Sequence, residues 1–149
     1  IEITSAHRPI TVIAGGALYP IAQELALKIR EMCYTPAVAF PLEEFMHGPY
    51  IAVEKNDTVL FLTPNFGTRA IQLSKMLKIL GANTVCPPMA VQKMPEIQRA
   101  LATLIWGQKL CLVLAEKLGT NPDDNRNHEP AYNRAKQATD IQKCFVLRY

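Results

Sequence analysis

Three charged residues, Glu24, Lys28 and Glu31, recur at i, i+4 and i+7. At about 100° per residue in a helix they fall within about 60° of one another. They border the apolar arc of Ile21, Ala22, Leu25, Ala26, Ile29, Met32 and Cys33 rather than standing opposite it. Acid and base groups at a partly buried rim can have their pKa values tuned for proton transfer. The same spacing also builds an ordinary surface salt-bridge ladder, and spacing alone leaves both readings open. His47, between Met46 and Gly48-Pro49, sits at a rigid junction where an imidazole can be held in one direction and move a proton near neutral pH. A lone loop histidine is otherwise usually an incidental surface residue. Gly15 and Gly16 close an apolar run, and their backbone N–H groups can receive an anion or simply make a turn. Thr63 and Thr68 flank another turn, where they can donate to a phosphate, or Asn65 or Thr68 can cap the next helix. Lys136, in a polar stretch, reads by itself as a solvated lysine.

The elements that must position these groups alternate. Ile10 to Ala14 reads as a buried strand entering the glycine turn, and Leu18 to Cys33 as a helix. Ala37 to Phe40 is a second short strand between two prolines, and Leu42 to Pro49 carries a brief helical turn. Thr58 to Thr63 is a fully apolar strand of the kind found inside a parallel sheet. Thr68 to Leu80 reads as a helix closed by Gly81, Asn83 to Cys86 as a fourth strand, and Met89 to Val91 as a very short fifth. Pro95 opens the longest helix, to about Leu118, apolar nearly all round and therefore expected to be covered on more than one side. Asn121 to Lys136 is polar and turn-rich. This alternation predicts one α/β domain over residues 1–149, a three-layer sandwich around a parallel, flavodoxin-like sheet of about five strands.

The chain has 149 residues, 49% of them hydrophobic, so it is long and apolar enough for a sizeable core and not disordered. A net charge of +3 is too small for a dedicated nucleic-acid surface. No apolar run approaches a membrane span, and no secretory signal is visible. Cys33, Cys86, Cys111 and Cys144 form no C-x-x-C pair, and His7, His47 and His128 are scattered, so neither a metal nor another cofactor is expected. Unpaired thiols in apolar patterns point to a reduced, cytoplasmic protein.

Set in order, Gly16-Ala17-Leu18-Tyr19-Pro20-Ile21-Ala22-Gln23-Glu24-Leu25-Ala26-Leu27-Lys28-Ile29-Arg30-Glu31 resembles the G-x-x-x-P-x-A-x-E-x-A-L-K-x-K-E helix of sugar isomerase (SIS) domains. Glu44-Phe45-Met46-His47-Gly48-Pro49 is similar to the family's E-x-x-H-G-P segment, and Asn133-Arg134-Ala135-Lys136-Gln137-Ala138-Thr139 to its R-N-L-A-K-x-V-T ending, with an insertion over 127–132. The resemblance is to the second SIS half of glucosamine-6-phosphate synthases and to related isomerases and deglycases. It implies that Glu31 is the base moving a proton between the first two sugar carbons, and that Lys28 lies near the enediolate oxygens. It implies too that His47 opens the sugar ring from a neighbouring subunit, and that Lys136, in the tail 121–149, forms an imine with the open-chain ketose. The substrate implied is a ketose or amino-sugar 6-phosphate, with Gly15, Gly16, Glu24, Thr63 and Thr68 as contacts, in a homodimer or larger assembly.

The S-x-S-G-x-T phosphate loop of a first SIS half is absent from this sequence, which also opens at Ile1 rather than Met. The chain is therefore expected to be the second half of a two-half enzyme. The alternative is a non-catalytic phosphosugar-sensing module. Such a sensor needs the phosphate loop and can lose the acid–base set, whereas this chain keeps the set and lacks the loop.

Overall fold

A computed structural model of the chain describes residues 8–63, 67–124 and 126–139. Asn65, Cys144 and the last ten residues of the expected tail lie outside them. Among the described residues four strands form one parallel sheet: β1 (Ile10–Ala14), β2 (Ala37–Pro41), β3 (Thr58–Phe61) and β4 (Asn83–Val85), in the order β2-β1-β3-β4. Register is set by Val12 opposite Ala39 on one side and Leu60 on the other, with Val59 opposite Thr84 at the edge pair. The helices are α1 (Tyr19–Cys33), α2 (Leu42–Met46), α3 (Gly67–Leu80), α4 (Met89–Gln92), α5 (Glu96–Leu118) and α6 (Pro130–Thr139).

Because side chains alternate along a strand, β1 and β3 feed two cores. Val12, Ala14, Leu60 and Leu62 join Ala22, Leu25, Ala26 and Ile29 of α1 and Cys111, Leu114 and Ala115 of α5. Ile13, Val59 and Phe61 join Phe45 of α2 and Ala70, Leu73 and Leu77 of α3. Both faces of the central strands are thus covered, which is why Thr58 to Phe61 is apolar without alternation. The result is the three-layer α/β sandwich expected.

Helix α5 packs on α1 at Gly107, where an added Cβ would stand 2.3 Å from Leu25 Cδ2. The absence of a side chain lets the two helices approach closely. This chain covers one side of α5; Ile97, Leu101, Ile105 and Leu112 on its outer side are all more than half exposed.

Two segments differ from the sequence reading. Met89 to Val91 is not a fifth strand but the start of α4. Pro88 caps it in extended conformation, and Val91 N–H and Gln92 N–H both donate to Pro88 O, at 2.9 and 3.2 Å. Three apolar residues are too few for periodicity to separate strand from helix, and a proline pair favours a helix start. The tail is turn-rich only to Glu129; Pro130 then opens α6, whose residues are nearly all exposed. Its only apolar stripe is the small Ala131, Ala135 and Ala138 beside Tyr132, set in a polar stretch, and so weak a stripe is easily read as loop.

Candidate functional site

Strands β1 and β3 are neighbours, yet the helices that follow them cross to opposite faces, which opens a crevice beyond the carboxyl ends of the strands. A cavity of about 620 Å³ occupies this place. Gly15, Gly16, Thr63 and Thr68 all line it, as the sequence suggested. Thr63 is 4% exposed, and its Oγ1 accepts a hydrogen bond from Gly15 N–H at 3.1 Å, locking the ends of β1 and β3 together. Gly16 has φ +56°, which a residue with a Cβ adopts only at a cost, and starts a 3-10 turn into α1. The first residues of α3 and Glu96 and Arg99 from the start of α5 also face the cavity. Amino ends of several helices therefore converge here and bring partial positive charge to the cavity.

One wall is an ion pair. Arg69 of α3 grips Glu43 of α2 in a two-pronged bond, Nη2 to Oε2 at 2.8 Å and Nε to Oε1 and Oε2 at 3.2 and 3.1 Å. That bond holds the Glu43 carboxyl below its ordinary pKa, with a smaller contribution from the charge of His47. His47 is the exposed C-cap of α2, its N–H donating to Glu44 O at 3.1 Å. It sits beside the wall rather than in the lining.

The charged triplet of α1 forms the ladder its spacing allows. Lys28 Nζ lies 2.7 Å from Glu31 Oε2 and 3.8 Å from Glu24 Oε1, with all three side chains between about a third and a half exposed. The bond to Glu31 raises the Lys28 pKa above its ordinary value. These groups are at a distance from the cavity. Glu31 is twelve residues beyond Tyr19, which lines the cavity, or about 18 Å along the helix axis. Glu24 belongs to the ladder and not to the lining.

Past α5 the chain returns to the far end of α1. Thr120 Oγ1 donates to Met32 O at 2.7 Å, and Tyr34 Oη donates to Asn121 O at 2.8 Å while accepting from Arg126 N–H at 3.3 Å. Tyr34 itself caps α1 in the left-handed region, at φ 52° and ψ 26°. A residue with a Cβ pays about 1–2 kcal/mol there, where glycine is usual. Arg126, also at positive φ, stacks its guanidinium over the rings of Tyr34 and Tyr132 at 5.2 and 3.8 Å and forks onto Glu129 at 2.5 and 2.7 Å. Lys136 Nζ donates to Asn127 Oδ1 at 2.6 Å.

The structure thus sorts the expected residues into two places. Gly15, Gly16, Thr63 and Thr68 meet at the cavity, at the carboxyl edge of the sheet. Lys28 and Glu31 ride the last turns of α1, toward the amino edge, where the tail bearing Lys136 is anchored. The described part of the tail docks at this amino edge, on Met32 and Tyr34, and not over the carboxyl edge of the sheet. Sequence reasoning did not reach Arg69, Glu43, Glu96 or Arg99 as cavity residues, nor Tyr34 and Arg126 as anchors. The Arg69–Glu43 pairing has no sequence signal, being 26 positions apart and between two helices.

Comparisons with known proteins agree with this architecture. Residues 2–86, more than half of the 149, match the SIS domain family model. A glutamine–fructose-6-phosphate aminotransferase [isomerizing] of Pyrobaculum aerophilum is 32% identical over 130 residues, covering 77% of this chain and 22% of its own length. The chain spans about a fifth of that relative. Among solved structures, the C-terminal domain of glucosamine-fructose-6-phosphate aminotransferase from Francisella tularensis is 25% identical with a TM-score of 0.61, over 77% of this chain and 37% of that one. Glucosamine-6-phosphate deaminase from Thermotoga maritima shares the fold, with a TM-score of 0.68 at 24% identity over 80% of this chain and 38% of that one. With its 2-1-3-4 parallel sheet, its glycine turn into α1 and this match, the chain belongs to the SIS domain family.

Proposed function

We propose that this chain is the acid–base half of a phosphosugar isomerase unit, acting on a ketose or amino-sugar 6-phosphate. The observation that carries this reading is the contact of Lys28 Nζ with Glu31 Oε2 at 2.7 Å, on an exposed edge of α1 and well away from the chain's own cavity. A carboxylate base takes the proton from one of the first two carbons of the open-chain sugar and returns it to the other. The electron pair of the broken C–H bond enters an enediolate, whose oxygen needs a cation beside it. Glu31 and Lys28 supply that combination. His47, exposed at the end of α2, supplies the proton transfer that opens the ring, from a position suited to a neighbouring subunit's site. Lys136 is the amine that condenses with the ketose carbonyl, releasing water.

A sugar seated in the cavity is out of Glu31's reach, since the two are separated by most of α1. The reading therefore requires the sugar to be held by another SIS half or subunit, in a homodimer or larger assembly, and the exposed outer side of α5 is a surface such an assembly can bury. The inserted tail favours an isomerase or deglycase over an amidotransferase. A cytoplasmic setting completes the reading. Among the described residues no helix is long and apolar enough to cross a membrane.

The test follows deuterium from solvent into C1 and C2 of fructose 6-phosphate with the full-length protein. Glu31→Gln keeps the shape and removes the base, so exchange should fall by about 10²-fold or more. Unchanged exchange would return Glu31 to the role of a surface ladder residue and favour the sensing module.

A further inference from the structure

We infer that Tyr34 and Arg126 are positioning residues that clamp the tail so that Lys136 shares the end of α1 with Glu31. The inference rests on the proposed function and adds to it a device for bringing two distant parts of the chain together. Two observations converge. Tyr34 and Arg126 are two of three non-glycine residues with positive φ among the described residues, and their side chains meet. Strain at two residues that contact one another is retained only where surrounding contacts compensate it, and such pairs are candidates for function. The compensation here is specific to the tail. The Tyr34 hydroxyl bonds the backbone on both sides of the tail's first turn, at Asn121 O and Arg126 N, and its ring receives the Arg126 guanidinium.

The second observation is the path from that clamp to Lys136. Arg126 packs on the Tyr132 ring and donates to the Tyr132 hydroxyl at 2.5 Å. Tyr132 and Lys136 are i and i+4 on α6, so they occupy the same helix face. Asn127, next to Arg126, accepts from Lys136 Nζ. On the other side of the clamp, Tyr34 follows Glu31 by three residues at the end of the same helix. Contacts and one helix turn thus lead from Tyr34, three residues beyond Glu31 in the chain, through Arg126 and Tyr132 to Lys136.

The experiment uses the full-length protein with fructose 6-phosphate and borohydride, which reduces an imine at Lys136 to a stable secondary amine found by peptide mapping. Tyr34→Gly removes the clamp while relieving the backbone, so the two effects on the melting temperature oppose one another while the Lys136 adduct falls at least tenfold. Arg126→Ala should lower the adduct similarly, and Arg126→Lys, which keeps charge but not the stacked fork, should recover less than half of it. Hydrogen exchange over 126–138 should speed up in the first two variants. An undiminished adduct in Tyr34→Gly and Arg126→Ala overturns the inference. A wild-type protein that turns over with no Lys136 adduct refutes the imine assigned under the proposed function. Turnover then decides the clamp: parallel losses in Lys136→Met, Tyr34→Gly and Arg126→Ala retain it, and unchanged turnover in the last two overturns it.

Discussion

Lys28→Met separates the two readings of the α1 ladder, because they predict effects of very different size on two measurements. The substitution removes the ammonium while keeping a long apolar stem over the edge of the core. In the structure that ammonium touches Glu31 at 2.7 Å and approaches Glu24 at 3.8 Å, with Lys28 31% and Glu31 46% exposed. Pairs so open to water are screened, and double-mutant cycles on such helix pairs return about 0.3–0.5 kcal/mol. Thermal or urea unfolding should therefore show a loss of about 0.5 kcal/mol or less, shrinking with added salt. The pH dependence has a definite sign. Because Glu31 raises the folded-state pKa of Lys28, the contribution is fully present below the unfolded value and is lost as pH rises through the raised one. The stability difference should be flat around neutrality and vanish in strong alkali. Turnover is another matter. If Lys28 stabilises the enediolate, its loss should cost about 10²-fold or more in kcat, a free energy several times the stability change. In Lys28→Met/Glu31→Gln the two kinetic losses should fall well short of adding, because the residues act as a unit. A ladder residue predicts small effects on both measurements. Kinetic losses below threefold with the expected stability change would refute the catalytic assignment.

Gly107→Ala places a methyl 2.3 Å from Leu25 Cδ2 in the α1–α5 contact, and should destabilise the fold by about 1–3 kcal/mol in urea unfolding; a neutral result would show that the helices can separate freely. Burial pushes the Cys33 and Cys111 thiols up to about 11 and about 12, so neither should react with a thiol reagent at pH 8 until the protein is unfolded. The unfolded state ionises first, so these two cysteines should lower stability as pH climbs from the ordinary thiol range toward those values. The 149-residue chain carries no Ser/Thr-rich phosphate loop, and calorimetry with fructose 6-phosphate should give no measurable heat; tight binding would show that the cavity at Gly15, Gly16, Thr63 and Thr68 suffices alone. Leu101→Glu on the outer side of α5 should weaken the assembly of the full-length protein in sedimentation equilibrium, and a wild-type monomer at micromolar concentration would count against the dimer.

The local parts of this protein are written in its sequence. Alternation between β-branched runs and 3.6-residue periodicity determines β1 to β4 and the long helices, because each apolar stretch has one face, or both, to bury. The glycine turn at Gly15-Gly16, the caps at Gly81 and Gly119, and the Glu24–Lys28–Glu31 ladder all follow from contacts within a few residues. So does the motif that places the chain among SIS domains. Where the pattern is too short or too polar, it says little: Met89 to Val91 cannot signal helix over strand, and α6 has only a stripe of small alanines in a polar stretch to announce it. The tertiary structure alone decides which local features meet. Pairing of Arg69 with Glu43 depends on α2 and α3 sharing one face of the sheet. The separation of the cavity from Glu31 depends on α1 running from the carboxyl to the amino edge of the strands. The docking of the tail on Tyr34 depends on α5 running alongside α1 and delivering Asn121 to its far end. Each of these joins residues distant in the chain, and no local preference encodes such a distance.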